Sequence, residues 1–486
     1  MNLSELEPRG LWKHFFAICV VPHPSHREES LADTIVAWAK GRGLYAAKES
    51  AGNVILRKPA SPGREGGRGL VLQAHLDMVA QFAQGSKHDF SRDSIVPRFD
   101  PADPDWLMAS GTTLGADNGI GVASALSILE DGSLPHGPLE CLFTTNEEDG
   151  MSGARALEPN ALEGAILLNL DGEDGGELTI GCAGTLRTVS EISFEASAAT
   201  ASTAWFGIDV MGLLGGHSGV DIDKGRANAS LLLARLLSSV GEGFRIGSIA
   251  GGTAANAIPR EARALVGIPA ARAGIARAAL ECEAAAISKE LVGRDPGFAI
   301  HLEKRLAPSV SIGEAESSHL LEALRAIPNG LLEMEKDMPD LVRSSSNLGE
   351  LGTVERGDRI IVKALVMVRS SSDSEKERIA REVEAAFEAL GASPVRPAVS
   401  PAWTPDIASP LLALSKSVYR ELFGVEPKVT STHGGLECGV FRPRFPAWDM
   451  ISLGPTIRYP HSPDERVDIS SVGRYYRFLK ELIERL

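Results

Sequence analysis

The residues best suited to chemistry in this 486-residue chain are two histidines and a set of carboxylates placed just after apolar runs. His75-Leu-Asp77 follows the run Gly69 to Ala74, Asn146-Glu147-Glu148-Asp149 follows Leu139 to Thr145, and Asp171 follows Ala165 to Leu170. Thr112-Thr-Leu-Gly-Ala-Asp117-Asn118-Gly119-Ile-Gly121 is a glycine-rich turn that exposes one carboxylate just before a helical pattern. His461 lies near the C-terminus, in Tyr459-Pro-His461-Ser-Pro-Asp464-Glu465-Arg466. Imidazole and carboxylate are ligands for zinc and similar divalent ions, and the carboxylates suffice for two. In an extended segment residues two apart point to the same side, so Asp77 is expected to orient or polarise His75. Taken singly, each residue has a plainer reading. A His-x-Asp arises by chance in a chain this long, Glu147-Glu148 alone is a solvated loop edge, and Asp117 alone is a turn or cap residue. Their joint order carries the case. His301 fits a sheet position within Phe298-Ala-Ile-His-Leu, while His14, His26 and His319 have no partner pattern.

The elements that must position these residues are legible as patterns. The three apolar runs predict buried strands, and loops leaving the carboxyl ends of strands in an α/β sheet converge on one crevice. Val122, Ala125, Leu126 and Leu129 predict a helix that Gly132 stops. Val472, Tyr475, Tyr476, Leu479, Ile483 and Leu486 form the stripe of a last helix, with Ser470 and Ser471 as cap candidates. From about 186 to 396, strand-like alternation (Leu186 to Phe194, Trp205 to Met211, Arg263 to Val266, Ile360 to Val368) mixes with helical stretches near 226–240 and 272–292. A helix with Ile379, Val383, Phe387 and Leu390 on one face starts at the capping box Ser372-x-x-Glu375 and stops at Gly391. The expected fold is α/β: a mixed, mostly parallel sheet flanked by helices, with an inserted α+β lid domain. Residues 1–185 and 397–486 then form one catalytic domain, and 186–396 the inserted lid and dimerisation domain. The proline-rich stretch from Pro394 to Pro405 reads as the return linker.

Composition narrows the partners. Lysine and arginine number 49 against 64 aspartates and glutamates, a formal charge of −15, which disfavours nucleic acid and anionic membranes. The best N-terminal apolar run, Phe15 to Val21, is too short to span a bilayer and lacks a signal peptide's basic start. Five scattered cysteines without a C-x-x-C pair read as reduced thiols, and the expected location is the cytoplasm.

In order along the chain stand His75-x-Asp77-Met-Val, Gly115-Ala-Asp117-Asn-Gly, Asn146-Glu147-Glu148, Asn169-Leu-Asp171, Gly215-Gly216-His217-Ser218-Gly219, Asn256-Ala-Ile-Pro259 and His461-Ser-Pro-Asp464-Glu465. This series resembles the di-zinc aminopeptidase/carboxypeptidase/aminoacylase superfamily, and within it the aminoacyl-histidine dipeptidase group. Lys87-His-Asp-Phe90, Gly225-Arg-Ala-Asn228, Ser344-Ser-Ser-Asn347-Leu-Gly349 and His433-Gly-Gly-Leu-Glu-Cys438-Gly439 support that subgroup, and the resemblance covers nearly the whole chain. Ala74 stands where glycine is usual and Gly434 where alanine is usual; neither change removes a functional side chain.

The resemblance implies that Asp117 bridges two divalent ions, Zn²⁺ in the first place with Co²⁺ or Mn²⁺ as substitutes. It gives His75 and Asp171 to one site and Glu148 and His461 to the other. Glu147 is then the general base and Asp77 the buttress of His75. His217, on a glycine-rich lid loop, is the donor to the oxyanion, and in related enzymes this donor comes from a mobile lid or a neighbouring subunit. Asn256, Arg369 and His433 are assigned to the substrate, with the Arg369 guanidinium on its C-terminal carboxylate. A cis peptide is expected between Asp117 and Asn118. The implied activity is hydrolysis of small Xaa-His dipeptides by a cytoplasmic homodimer. The alternatives are a di-zinc amidohydrolase or aminoacylase acting on another small amide, and a non-catalytic binding homologue. Against the last, all five ligand candidates, Asp77 and Glu147 are present.

Overall fold

Leu70–His75, Leu139–Thr144 and Ile166–Asn169 are strands in which every residue is buried, as short apolar runs covered on both faces should be. The computed structural model describes residues 2–199, 202–336 and 338–486. The chain divides into two compact units: Met1–Cys182, Trp403–Ser431 and Leu436–Leu486 form the first, and Ala183–Ala402 with Thr432–Gly435 the second.

The first unit is built on an eight-stranded sheet. Its order is Tyr45–Lys48, Val54–Lys58, Leu139–Thr144, Leu70–His75, Ile166–Asn169, Asp449–Ser452, Glu177–Cys182 and Lys428–Thr432. The centre is parallel, with Leu70 opposite both Leu139 and Ile166, and Asp449 opposite Ile166. Outward from this centre, Tyr45–Lys48 with Val54–Lys58, Val54–Lys58 with Leu139–Thr144, and Asp449–Ser452 with Glu177–Cys182 pair antiparallel. Parallel neighbours end on the same edge, so His75, Thr144 and Asn169 deliver their following loops to one place. Ala116–Glu130 is buried from Ala116 to Leu129 all round, so it is a central helix rather than one with a single apolar stripe. It packs between Arg9–Val20 and the strand Leu70–His75.

A second, four-stranded sheet of this unit has the order Ile457–Arg458, Arg466–Asp468, Trp106–Ala109 and Pro97–Phe99. The loop 459–465 between its first two strands carries His461, with Tyr459 and His461 both at positive φ. The final helix, Ile469–Arg485, buries Val472, Tyr475, Tyr476, Leu479 and Ile483. Its cap differs from the sequence expectation. Asp468 accepts from the Ser471 N–H at 3.0 Å, and Ser470 and Ser471 lie in the first turn.

The second unit carries a nine-stranded antiparallel sheet. Gly184–Glu195 alternates between buried and less buried positions along its length, as its period-two pattern requires. Helices Ala229–Ser238, Ala273–Glu290, Glu314–Ala326 and Asp373–Glu388 share one apolar core with the sheet. Two local expectations are corrected here. Val395–Ser400 is an edge strand paired with Gly184–Glu195, not a linker; Pro397 falls in the register shift between Val395 and Ala398, where the ladder is interrupted. Ser372 stands at the cap position of its helix but makes no cap bond; its hydroxyl pairs with Ser374 Oγ instead.

Candidate metal centre and active site

Each loop of the site is held by a side chain from another loop. Asp77 accepts from the Glu147 N–H at 2.9 Å, the Glu148 N–H at 3.2 Å and the Ser25 hydroxyl at 2.8 Å. The His75 Nδ1 bond goes first to the Asp77 carbonyl at 2.9 Å, with the Asp77 carboxylate at 3.5 Å. Asp77 is thus at least as much a clamp on the Glu147–Glu148 turn as a partner of the imidazole. A residue pattern along one strand cannot show a bond to another loop. Burial works to raise the Asp77 carboxyl, but His75, the Glu147 N–H and Ser25 prevail and hold it at about 2.

Asn118 donates to the Leu170 carbonyl at 3.1 Å and to the Asp171 carboxylate, tying the third strand's loop to the central helix. The Asp117–Asn118 peptide is cis. A Cβ on Gly121 would lie 1.9 Å from Asn118 Oδ1 and 2.6 Å from the Leu170 carbonyl, so only glycine admits this approach. Glu465 accepts four main-chain N–H groups from residues 114–117, at 2.7–3.3 Å. Burial pushes its carboxyl up to about 7, and these N–H groups work against that.

The side chains so held converge. His75 Nε2 lies 3.0 Å from Asp117 Oδ1 and 3.2 Å from Asp171 Oδ1. His461 Nε2 lies 3.3 Å from Asp117 Oδ2 and 3.0 Å from Glu148 Oε1. The two oxygens of one carboxylate therefore face two different imidazoles, each accompanied by a further carboxylate. Donor atoms of His75, Asp117 and Glu148 all lie within 4.8 Å of one another. His461 forms the rim, with its side chain 49% exposed against 1% for His75 and 8% for Glu148 and Asp171.

The electrostatics suit a cation. Burial raises Glu147, Glu148 and Asp171, and neighbouring carboxylates push the same way; Glu173, not singled out in the sequence, is pushed up to about 8 for these reasons. His461 is pushed up to about 11 by Asp117 and Glu148. Burial opposes ionisation of Asp117, but His461 and His75 hold its carboxyl far below the usual range. Glu148 Oε1 is buried and ion-paired with His461 at 3.0 Å, without a well-aligned hydrogen bond. Carboxylates outnumber imidazoles in this pocket, and the mixed nitrogen and oxygen donor set fits a divalent ion. The Glu147 carboxylate has no hydrogen-bond or ion-pair partner among the described residues and is half-buried beside the set.

A second polar group, also missed, lies beneath the strand ends. Glu437 is fully buried and accepts from Gln73 Nε2 at 2.5 Å and from Thr144 Oγ1 at 2.8 Å, while Asn169 donates to Gln73 Oε1 at 2.6 Å. Gln73, Thr144 and Asn169 precede His75, Glu147 and Asp171 by two or three positions, where the strand ends carry the site. Only the cross-strand register reveals them.

The remaining candidates lie in the second unit. His217 Nδ1 accepts the N–H groups of Gly219 and Val220, both at 3.2 Å. That fixes the neutral tautomer with its proton on Nε2, and burial and the Arg369 charge lower its pKa. A Cβ on Gly219 would meet His217 Cε1 at 3.0 Å and the His433 carbonyl at 3.2 Å, which explains a glycine there. His433 Nε2 bonds Ser345 Oγ at 2.7 Å, and Arg369 donates to the His433 carbonyl at 3.3 Å. Arg369 is 6% exposed and its Nε has no partner. The structure therefore groups His217, Arg369 and His433. Asn256 is exposed, and its carbonyl accepts from the Ser218 N–H at 2.8 Å. Two histidines without a sequence partner find one in the first unit: His14 pairs with Glu130 at 2.9 Å and His26 with Asp149 at 2.8 Å.

Known proteins match this chain along nearly its whole length. The chain is 39% identical over 487 residues to the cytosol non-specific dipeptidase of Escherichia coli K12, covering 100% of this chain and 99% of that protein. It superposes on the aminoacylhistidine dipeptidase of Vibrio alginolyticus with TM-score 0.92 and 37% identity, covering 100% of this chain and 98% of the other. Aminopeptidase PepT from Bacillus cereus shares the fold, with TM-score 0.61 and 15% identity over 99% of both chains. The model of peptidase family M20/M25/M40 matches residues 71–485. The chain therefore belongs to peptidase family M20/M25/M40 and is a hydrolase of peptide bonds.

Proposed function

We propose that the chain is a metal-dependent dipeptidase acting on small dipeptides, Xaa-His (carnosine-like) substrates among them, with two divalent ions, Zn²⁺ in the first place. Asp117 carries the reading, because its two oxygens face His75 and His461 separately. His75, Asp171 and Asp117 Oδ1 would hold one ion, and His461, Glu148 and Asp117 Oδ2 the other. Two ions so held supply Lewis acidity that brings the pKa of water from 15.7 towards about 7. Glu147, free of other partners and with its pKa raised, takes the proton of the attacking water and passes it to the leaving amine. His217 offers its Nε2–H to the developing oxyanion. Arg369, buried without a carboxylate bonded to it, pairs with the C-terminal carboxylate of the substrate, and Asn256 and His433 complete the substrate contacts.

The full-length relatives are named a non-specific dipeptidase and an aminoacylhistidine dipeptidase, so both support a dipeptide substrate and differ on its second residue. We assign the protein to the cytosol, in keeping with the Escherichia coli relative's name and with five free cysteines, and expect a homodimer by analogy. No helix among the described residues is long and apolar enough to cross a membrane. The test is metal analysis joined to a panel of Xaa-His dipeptides, other dipeptides and N-acyl amino acids. Dipeptides should be cleaved and their N-acylated forms spared. Cleavage confined to N-acyl amino acids would make the chain an aminoacylase, and full activity with one ion per chain would remove the two-metal reading.

A further inference from the structure

Glu465 ends the loop that carries His461, and its side chain bonds the backbone of another loop. It is 2% exposed. Its Oε2 accepts the N–H groups of Leu114 at 2.7 Å and Gly115 at 2.9 Å, and its Oε1 those of Ala116 at 2.8 Å and Asp117 at 3.3 Å. These donors belong to the start of Ala116–Glu130, where a helix leaves N–H groups unpaired. The local chain cannot serve them, because the cap residue is Gly115 and has no side chain to offer. Both oxygens are taken up by N–H donors, so Glu465 is engaged as an acceptor for the backbone and is not free to serve as a ligand. At its own end, the Glu465 N–H donates to the Ser462 carbonyl at 3.0 Å, and the next residue starts a strand paired with Trp106–Ala109. One buried side chain thus joins the turn that presents Asp117 to the loop that presents His461.

We propose that Glu465 is a positioning residue: it sets the separation of Asp117 Oδ2 and His461 Nε2 and thereby governs occupancy of the ion site formed by Asp117, Glu148 and His461. The proposal rests on Asp117 as a shared ligand, the reading given above. A mere helix cap would affect stability alone. A spacer between two ligands also affects metal binding, and most at the site that needs both of them, because the other keeps His75 and Asp171 beside Asp117 Oδ1. Partners that orient metal ligands are worth about 10–100-fold in affinity.

The experiment titrates Co²⁺ into metal-stripped full-length protein, followed by calorimetry and by the visible absorption of each bound equivalent. It compares the wild type with Glu465→Gln and Glu465→Asp. Glutamine replaces one acceptor oxygen by an NH₂ that faces two N–H donors, while aspartate keeps the charge but is one methylene short. Both variants should bind the first equivalent as the wild type does. The second should weaken by about 10–100-fold, with a shifted absorption band. If Glu465→Gln does not fold, Glu465→Asp decides by the same readouts. Two equivalents bound with wild-type affinity and spectrum, whatever the change in Tm, overturn the role of Glu465. A wild-type protein that binds only one equivalent instead overturns the shared-ligand reading itself.

Discussion

At the scale of the residue, the site depends on which atom of a side chain is already engaged. Asp77 spends both oxygens on the Glu147–Glu148 turn, Asn118 holds Asp171, and His217 gives Nδ1 to two N–H groups and so keeps Nε2 protonated. The Glu147 carboxylate is unengaged among the described residues, which suits a group that must accept and release a proton. Glu147→Gln preserves shape and removes that capacity, so metal content should persist while kcat falls by about 10²–10⁴-fold. Near-normal turnover in a metal-replete preparation would take the base role from Glu147. Residue types and their order were readable in advance. Atom-level engagement was not, since each of these bonds joins loops distant in sequence.

At the scale of the element, sequence patterns placed strands and helices well and their end chemistry less well. The stripe from Val472 to Ile483 is buried as its spacing requires, yet the cap is Asp468, one residue before the helix and two before the nearer serine. Asp468→Ala should destabilise the first unit by about 0.5–2 kcal/mol in urea unfolding, and Ser470→Ala by much less. Equal losses would restore the serine as the cap. In the second unit, burial and the Arg369 charge depress His433 to about 3, against an ordinary 6.5. Between those values the unfolded chain binds a proton that the folded chain refuses, so stability is lost as the pH falls from 6.5 towards 3. The contribution is at most about 1.4 kcal/mol per pH unit. Thermal unfolding of His433→Gln should show a flatter decline of Tm below pH 6.5 than the wild type, and parallel profiles would refute the assignment.

At the scale of the whole molecule, the proposed metal centre would bear on stability as well as on chemistry. Asp117, Glu147, Glu148 and Asp171 lie buried or half-buried around two imidazoles, and a cation that binds only the folded chain stabilises it by mass action. At a free metal concentration of 100 Kd this amounts to about 2.7 kcal/mol per site. Chelation should therefore lower the Tm of the unit that carries the site, and Zn²⁺ should restore it. A Tm indifferent to chelator and to added Zn²⁺, in protein shown by metal analysis to be stripped, would mean that the pocket is held by proton sharing among its own side chains.

The sequence by itself determined which residues make up the candidate site and the layer it stands on. Apolar runs must be buried as strands, polar residues that follow them must emerge at the strand ends, and His75, Glu147, Glu148 and Asp171 occupy those positions. Ordered motifs added Asp117 and His461 to the set. The tertiary structure alone decided how the members are held. The four N–H bonds of Glu465, the buried Glu437 beneath the strand ends and the turn clamped by Asp77 each join segments far apart along the chain. The edge strand Val395–Ser400 has the same origin, because Pro397 suits a linker as well as a sheet edge until a partner strand is present to choose. Local pattern reports what a segment can bury. Which donor meets which acceptor is settled only when separate loops are packed against one another and each buried polar group must find a partner.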